Sequence, residues 1–356
     1  MKRIFLASAA CLAVAACSGG DGTNPITSGP TDDTEDPTTD PTTDPTTDPG
    51  TGIDSDRTVP PGTTSPTADL GIYRYEPPTD TGDGYAQSVS YDAATDTFSV
   101  DNLAFDGANT YQRDDMVGSL GPYAVYEGDG VFNDPVTGVP ISQFEHKAIY
   151  GVSTNTDANG LATTQFAIVR TGAYVGYGFG GFIYQRDGGV TLPTSGQAAY
   201  SGQYAALRDF NGRGGLEYAT GDMTAAIDFN DFNAGDAVQG KVTNRRVYDV
   251  NGSDITASII SALGTQYGRS YTALPQINFV VGPGVLDTNG EILGSVGSNV
   301  TDATGALQGF ETGKYYAVIA GDNADEIVGV LTTEADDPRY DSVTVRETGG
   351  FILYRP

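Results

Sequence analysis

The stretch Tyr200–Tyr248, YSGQYAALRDFNGRGGLEYATGDMTAAIDFNDFNAGDAVQGKVTNRRVY, decides how the chain is read. Three runs in it alternate apolar and polar residues, and Gly/Asn/Asp clusters separate them. Tyr200, Gly202, Tyr204 and Ala206 fall on one face, with Ser201 and Gln203 on the other. Met223, Ala225, Ile227 and Phe229 share a face in the second run, and Val238, Gly240 and Val242 in the third. Period-two patterning broken by turn residues predicts an antiparallel meander with one buried face.

Five further strand candidates follow downstream: Ile277–Val281, Gly290–Val296, Tyr315–Ala320, Ile327–Thr333 and Val343–Tyr354. With the first three they make eight, the number at which side chains just fill a closed barrel. Closure also removes the adhesive edges of a long Tyr-rich meander. A helix is expected over Asp254–Gly264. Ile255, Ile259, Ile260 and Leu263 form its apolar face, Asp254 caps it and Gly264 stops it, in a long loop over the barrel. Upstream, Tyr85–Tyr91, Thr97–Leu103, Tyr123–Tyr126, Phe144–Val152, Thr163–Val169 and Ala173–Tyr184 read as strands of a smaller β-rich domain. In Ala173–Tyr184, Val175, Tyr177 and Phe179 share one face. Gly176, Gly178 and Gly180 on the other mark a bend, a bulge or a close approach to the backbone, the last by a neighbouring aromatic rather than a ligand.

The chain of 356 residues carries 18 Lys plus Arg against 46 Asp plus Glu, a net charge of −28. Such a field repels phosphate backbones, so no nucleic-acid partner is expected. Trp is absent, Gly numbers 48, and Tyr outnumbers Phe by 21 to 14, a composition suited to an extracellular all-β protein. The two cysteines, Cys11 and Cys17, both lie near the N-terminus, so the fold stands without a disulfide.

Residues 1–16 read as a secretory leader: Lys2 and Arg3 are its basic start, Ile4–Val14 its apolar stretch, and Ala15-Ala16 its small residues. Val14-Ala15-Ala16-Cys17 looks like a bacterial lipobox, which implies that Cys17 becomes the mature N-terminus, is acylated and holds the protein to a lipid bilayer. The other reading is an ordinary leader cut near Ala16. Ser18 after the cysteine, under bacterial sorting rules, implies the outer membrane. Residues 17–70 then have almost nothing to bury. Thr38–Pro49 is three copies of TTDP, and repeating Pro with repelling Asp favours an extended tether of about 150 Å, read either as a stalk or as a disordered spacer.

Residues 71–190 are therefore expected to form a β-rich domain and 191–356 an eight-stranded barrel. The second unit carries two motifs: Tyr200-Ser-Gly202-Gln-Tyr204, Ile227-Asp228-Phe229 and Val238-Gln-Gly240-Lys-Val242 in order, then Ile319-Ala-Gly321-Asp-Asn-Ala324-Asp-Glu326-Ile327-Val-Gly329. On these, the chain resembles the C-terminal barrel of the transferrin-binding-protein B-like surface lipoproteins of Gram-negative bacteria, over residues 192–356. It departs from the second motif at Ile319-Ala320, at Asp322 where the family has Pro, and at Val328 where it has Gly. The resemblance implies an up-and-down barrel behind a handle domain, in a lipid-anchored protein that captures a solute or protein ligand, a class that includes iron or haem carriers. It carries over no ligand-binding residue.

Catalytic chemistry needs a cluster that the residues do not offer. His146 is the one histidine and no G-x-S-x-G elbow occurs. Within Phe144–Val152 it reads as a satisfied strand residue rather than a haem or metal ligand. Asn155–Gly160 matches the first half of a calcium loop, but Phe166 stands at the twelfth position, where a bidentate Glu is required. Asp287-Thr-Asn289-Gly290 is more simply a hairpin turn, and a loop calcium site of another design stays open. The reading is thus a non-enzyme without a cofactor, binding an unknown protein or small molecule through the loops Asn211–Gly215, Asp249–Leu274 and Val300–Gly309. The alternative is a structural or adhesive envelope lipoprotein without a defined ligand.

Overall fold

The computed structural model describes residues 59–78, 85–229, 237–281 and 285–356. The leader, Cys17 and the TTDP repeats lie outside the described residues.

Eight antiparallel strands close into a barrel: β12 (Gln197–Asn211), β13 (Leu216–Asp228), β14 (Val238–Asp249), β15 (Ile277–Phe279), β16 (Glu291–Thr301), β17 (Leu307–Ala320), β18 (Glu326–Asp336) and β19 (Thr344–Tyr354). They pair in chain order, and β19 returns to β12 with Phe351 opposite Tyr204. The alternation read from the opening stretch is the alternation observed. Tyr200, Tyr204, Ala206, Met223, Ala225, Ile227, Val238 and Val242 all join one core inside the barrel. The expected strands of the second half are present, several of them longer than their apolar runs. The two resemblance motifs meet in space: Tyr200 donates its hydroxyl to the Ala324 carbonyl at 2.8 Å.

The N-terminal strands are β1 (Ile72–Tyr75), β2 (Ser88–Asp92), β3 (Thr97–Asp101), β4 (Thr110–Arg113), β5 (Ser119–Leu120), β6 (Tyr123–Gly128), β9 (His146–Val152), β10 (Thr164–Thr171) and β11 (Gly180–Arg186). They make a nine-stranded sheet in the order β1-β11-β10-β9-β6-β4-β3-β2, with β5 on β6. β7 (Val131–Asn133) and β8 (Pro140–Ser142) form a separate hairpin. Pairing starts ahead of β1, where Tyr75 donates its backbone N–H to Pro61 O at 3.0 Å.

One expectation of the meander fails in an informative way. Its strands were read as buried on one face, yet five barrel strands are buried on both. Ala205, Leu207, Tyr218, Val328, Val330 and Ile352 point outward and pack against Val125, Ile149, Phe166, Ile168 and Phe182 of the N-terminal sheet. Each such Val, Leu or Ile stabilises by about 1.5–3 kcal/mol when fully buried. Adjacent glycines serve the two faces. A Cβ at Gly349 would overlap the Tyr204 ring inside the barrel, and one at Gly350 the Phe166 ring outside it.

Two expected elements also differ. Ala173–Tyr184 is a strand only from Gly180 onward; residues 173–179 form a loop in which Tyr177 takes φ 56°. The Tyr174 ring approaches Gly176, as expected of an aromatic, but what approaches Gly178 and Gly180 is the backbone of Thr171 and Val169. Tyr85–Tyr91 likewise pairs as a strand only from Ser88.

The loop aspartates have a common use. Asp157, Asp249, Asp287 and Asp302 each stand three residues before a glycine with positive φ, and each Oδ1 accepts the backbone N–H two and four residues on. They close tight loops by satisfying donors that would otherwise face inward. Asp157, from the half-matched calcium loop, is one of them. Asp302 is held at about 2 by the Thr304 hydroxyl, the Gln308 amide and the loop N–H groups.

Gly349→Ala should lower stability by about 1–3 kcal/mol, because neither the strand nor the enclosed Tyr204 ring has room to shift. Urea denaturation of the variant against the parent measures it.

Candidate ligand-binding cleft

The barrel has unlike ends. Residues 211–215, 249–276, 302–306 and 337–343 connect strands at one end, and the connections after β13, β15 and β17 lie at the other. All three loop segments expected to bind ligand therefore belong to the same end. Over it lies α1 (Thr256–Tyr267), whose Ile259 and Leu263, four residues apart, enter the barrel core. The helix starts and stops later than expected. Ile255 holds the N-cap position, while Asp254, one residue earlier, accepts the Thr256 N–H at 2.9 Å. Gly264 continues the helix, because its backbone is not left-handed. Gly268, with φ 66°, ends it.

Beneath the helix the barrel interior turns ionic. Arg245 forks to Glu311 at 2.7 and 2.8 Å and to Glu347 at 3.0 and 3.1 Å. Glu347 also accepts the Tyr204 hydroxyl at 3.0 Å and lies 3.5 Å from Arg208. Arg208 reaches Glu217 at 3.5 Å, and Glu217 pairs with Arg339 at 2.8 Å. A strand reading could not place Arg245 inside. In strict alternation from Val242, Asn244 and Arg246 would face the core. The register slips between Thr220 and Asp222, Asn244 adopts φ 52°, and the parity reverses so that Arg245 and Val247 point inward. Burial pushes Glu347 up, but attraction from Arg245 and Arg208 outweighs it and holds the group below its ordinary value. Burial likewise opposes the Arg245 charge, and Glu311 and Glu347 more than offset it.

Beside this end, against the N-terminal sheet, a cleft of about 630 Å³ opens. The loop 211–215 contributes Arg213 and Gly215, and β13 contributes Leu216 and Glu217. Asp249, Val250, Ile255 and Ser258 come from the helix-bearing segment, and Glu145 and Lys147 from the N-terminal sheet. Two of the expected segments thus border it. The third, around 302–306, sits against the far end of the helix instead, where Ala303 donates to Tyr267 O at 3.0 Å. Arg339 and Tyr340, from the β18–β19 loop, also line it and were missed. Nothing in their polar, turn-like surroundings sets them apart before the strands are placed.

The cations in the cleft differ in how they are held. Lys147 reaches Asp114 at 2.8 Å, Glu127 at 2.7 Å and Glu145 at 3.2 Å. Asp114 also accepts the Tyr218 hydroxyl at 3.1 Å, which ties the sheet to the barrel. Arg339 is taken by Glu217 and Asp337. Arg213 has no carboxylate partner among the described residues. Its guanidinium carbon lies 4.6 Å over the Phe210 ring and 4.2 Å over the Tyr340 ring, Nε donates to Gly214 O at 3.1 Å, and Nη1 is buried without a partner.

Other candidates fall elsewhere. His146 opens β9, fully buried, with Nδ1 3.0 Å from Phe144 O and Nε2 without a partner. It is therefore only half satisfied, and burial lowers it to about 4. A second cleft, of about 780 Å³, lies at the opposite barrel end with Asp322, Asp325 and Glu326 among its walls. Buried Glu326 is already taken up by Ser153, Thr163 and Asn155. Cys17 lies outside the described residues.

No protein-family model and no curated protein matches this sequence. Among solved structures, the chain is similar to a double mutant of transferrin binding protein B from Haemophilus parasuis Hp5. The two are 13% identical, over 74% of this chain and 44% of that one, with a TM-score of 0.35. It is also similar to intact Ap-TbpB, with N and C lobes, at 11% identity over 81% of this chain and 53% of that one, with a TM-score of 0.33. A third is a surface lipoprotein, 13% identical over 57% of this chain and 80% of that one, with a TM-score of 0.27. The neighbours are transferrin-binding proteins and a surface lipoprotein. This chain spans about half the length of the first two.

Arg245→Met should cost about 3–5 kcal/mol, since it leaves Glu311 and Glu347 buried without their guanidinium. The parent should also lose stability in acid. A carboxylate held below its unfolded value of 4.5, as Glu347 is, stabilises fully above that pH and progressively less below it. Denaturation midpoints from pH 7 to pH 3 measure both effects, and the Glu347 share of the acid slope should shrink in the variant.

Proposed function

We propose that this protein is a lipid-anchored surface lipoprotein of the outer membrane that captures a protein or small-molecule ligand at the loop-bearing end of its barrel. Residues 1–16 serve as the leader, Cys17 carries the lipid, and the tether after it holds the folded units away from the bilayer. The tether ends before the expected residue 70, because Pro61, Thr67, Ala68 and Leu70 are already bonded to the fold. One observation carries the capture reading. The expected loops gather at a single barrel end, two of them around an open cleft, while the barrel interior itself is filled. A filled interior leaves the rim as the place for a ligand. Among the described residues no helix is long and apolar enough to cross a membrane, so anchoring falls to Cys17 in this reading.

Protease treatment of intact cells tests it together with Cys17→Ala. The parent chain should be trimmed from whole cells and fractionate with the outer membrane, and the variant should leave the membrane fraction. A chain protected until the envelope is opened, which also retains none of a panel of haem, metal-loaded carriers and host proteins, would overturn surface capture.

A further inference from the structure

We infer that the cleft at the loop-bearing barrel end is a carboxylate-binding site, with Arg213 as its receptor. The inference deepens the capture reading and rests on it for its purpose. Three observations converge. The residues that line the cleft include three cations, Lys147, Arg213 and Arg339, and three carboxylates, Glu145, Glu217 and Asp249. The lining is thus neutral in a chain that carries 18 basic against 46 acidic residues. Lys147 and Arg339 are spent on internal carboxylates, Asp114, Glu127 and Glu145 for the first and Glu217 and Asp337 for the second. Asp249 is occupied by the N–H groups of Asn251 and Ser253. That leaves Arg213 as the one cation of this lining with no carboxylate partner: Nη1 is buried without a partner and Nε has only the neighbouring Gly214 carbonyl.

The guanidinium is also fixed in place. The Phe210 and Tyr340 rings both pack against it, at 4.6 and 4.2 Å. The loop beneath it turns through Gly212 (φ 97°) and Gly215 (φ 117°), conformations that favour glycine. Gly215 donates to Gly172 O at 2.7 Å, so the turn is pinned to the N-terminal sheet. A guanidinium stacked against two rings loses little freedom when it binds, and a ligand carboxylate would take up donor capacity that the fold leaves unused. Tyr340, 41% exposed, stacks under both Arg213 and Arg339, at 4.2 and 5.2 Å, and leaves its ring edge at the cleft.

Titration of the purified full chain, followed through its ¹⁵N-labelled arginine side-chain resonances, tests the site. The probes are glutarate, a tetrapeptide with a free C-terminal carboxylate, and the same peptide as its C-terminal amide. Saturable binding of glutarate or of the peptide acid, with the amide at least about tenfold weaker, is expected, and so is loss of that binding in Arg213→Gln. Tyr340→Leu, at an exposed ring, should weaken binding with the fold intact, and Arg269→Gln, an exposed arginine outside the cleft, should leave it unchanged. Binding of both acids marks a site open to small organic acids, and binding of the peptide acid alone marks a chain terminus as the ligand. Equal binding of acid and amide, undiminished binding in Arg213→Gln, or no saturable binding by any probe would overturn the site. A negative titration strikes the carboxylate site alone, because purified protein is used, and a failed surface assay strikes the cellular role alone.

Discussion

Burial of the outer barrel face by the N-terminal sheet is the constraint on which the rest of this structure depends. A closed barrel normally owes water its outside, yet here β12, β13, β17, β18 and β19 have apolar residues on both faces. The second layer is locked by polar contacts as well as by area. Tyr123 donates to Gln203 O and accepts the Ile352 N–H, and Arg74 forks to Glu291 at 2.7 and 2.8 Å. Arg186 donates to five backbone carbonyls, from Thr67, Leu70, Gly188, Asn289 and Ile319. Few of these partners are near in sequence, so sheet and barrel hold each other in one arrangement. The cleft exists because of that arrangement, since its walls come from both.

The barrel was legible because its signal is local. Tyr200, Gly202, Tyr204 and Ala206 alternate, and nothing interrupts the count before Asn211. The same reasoning fails wherever one residue breaks the parity. Arg245 could not be placed inside while Asn244 was counted as an ordinary strand residue, and the ionic interior stayed invisible with it. Residues 173–179 alternate as well as any strand, but the chain turns at Tyr177, and Gly178 meets the backbone of Thr171. The second buried face left only a faint trace, in the apolar pair Ala205 and Leu207, which a period-two reading assigns to solvent. The cleft could be anticipated only in part. Loops 211–215 and 249–274 follow from the expected strands as barrel-end loops, whereas Arg339, Tyr340, Glu145 and Lys147 arrive through topology.

Acidity reads differently once the strands are placed. Part of the chain's negative charge does structural work, in aspartates that close loops and in carboxylates that hold Arg245, Arg339 and Lys147. Replacing such buried ion pairs by apolar residues need not weaken a protein, whereas removing one partner does. The interior network therefore favours a single pairing of the strands over its alternatives. It also sets off Arg213 within the cleft, where Lys147 and Arg339 are paired with carboxylates and Arg213 is not.

The central claim is that the N-terminal sheet and the barrel are one cooperative body. Single tryptophans at Phe98, in the sheet core, and at Phe279, in the barrel core, give separate signals in a chain that has no other Trp. Urea unfolding followed at each position is the most direct measurement. Coincident transitions, with the same midpoint and slope, are the predicted result. A sheet that unfolds first, while the barrel signal stays native, would contradict the account.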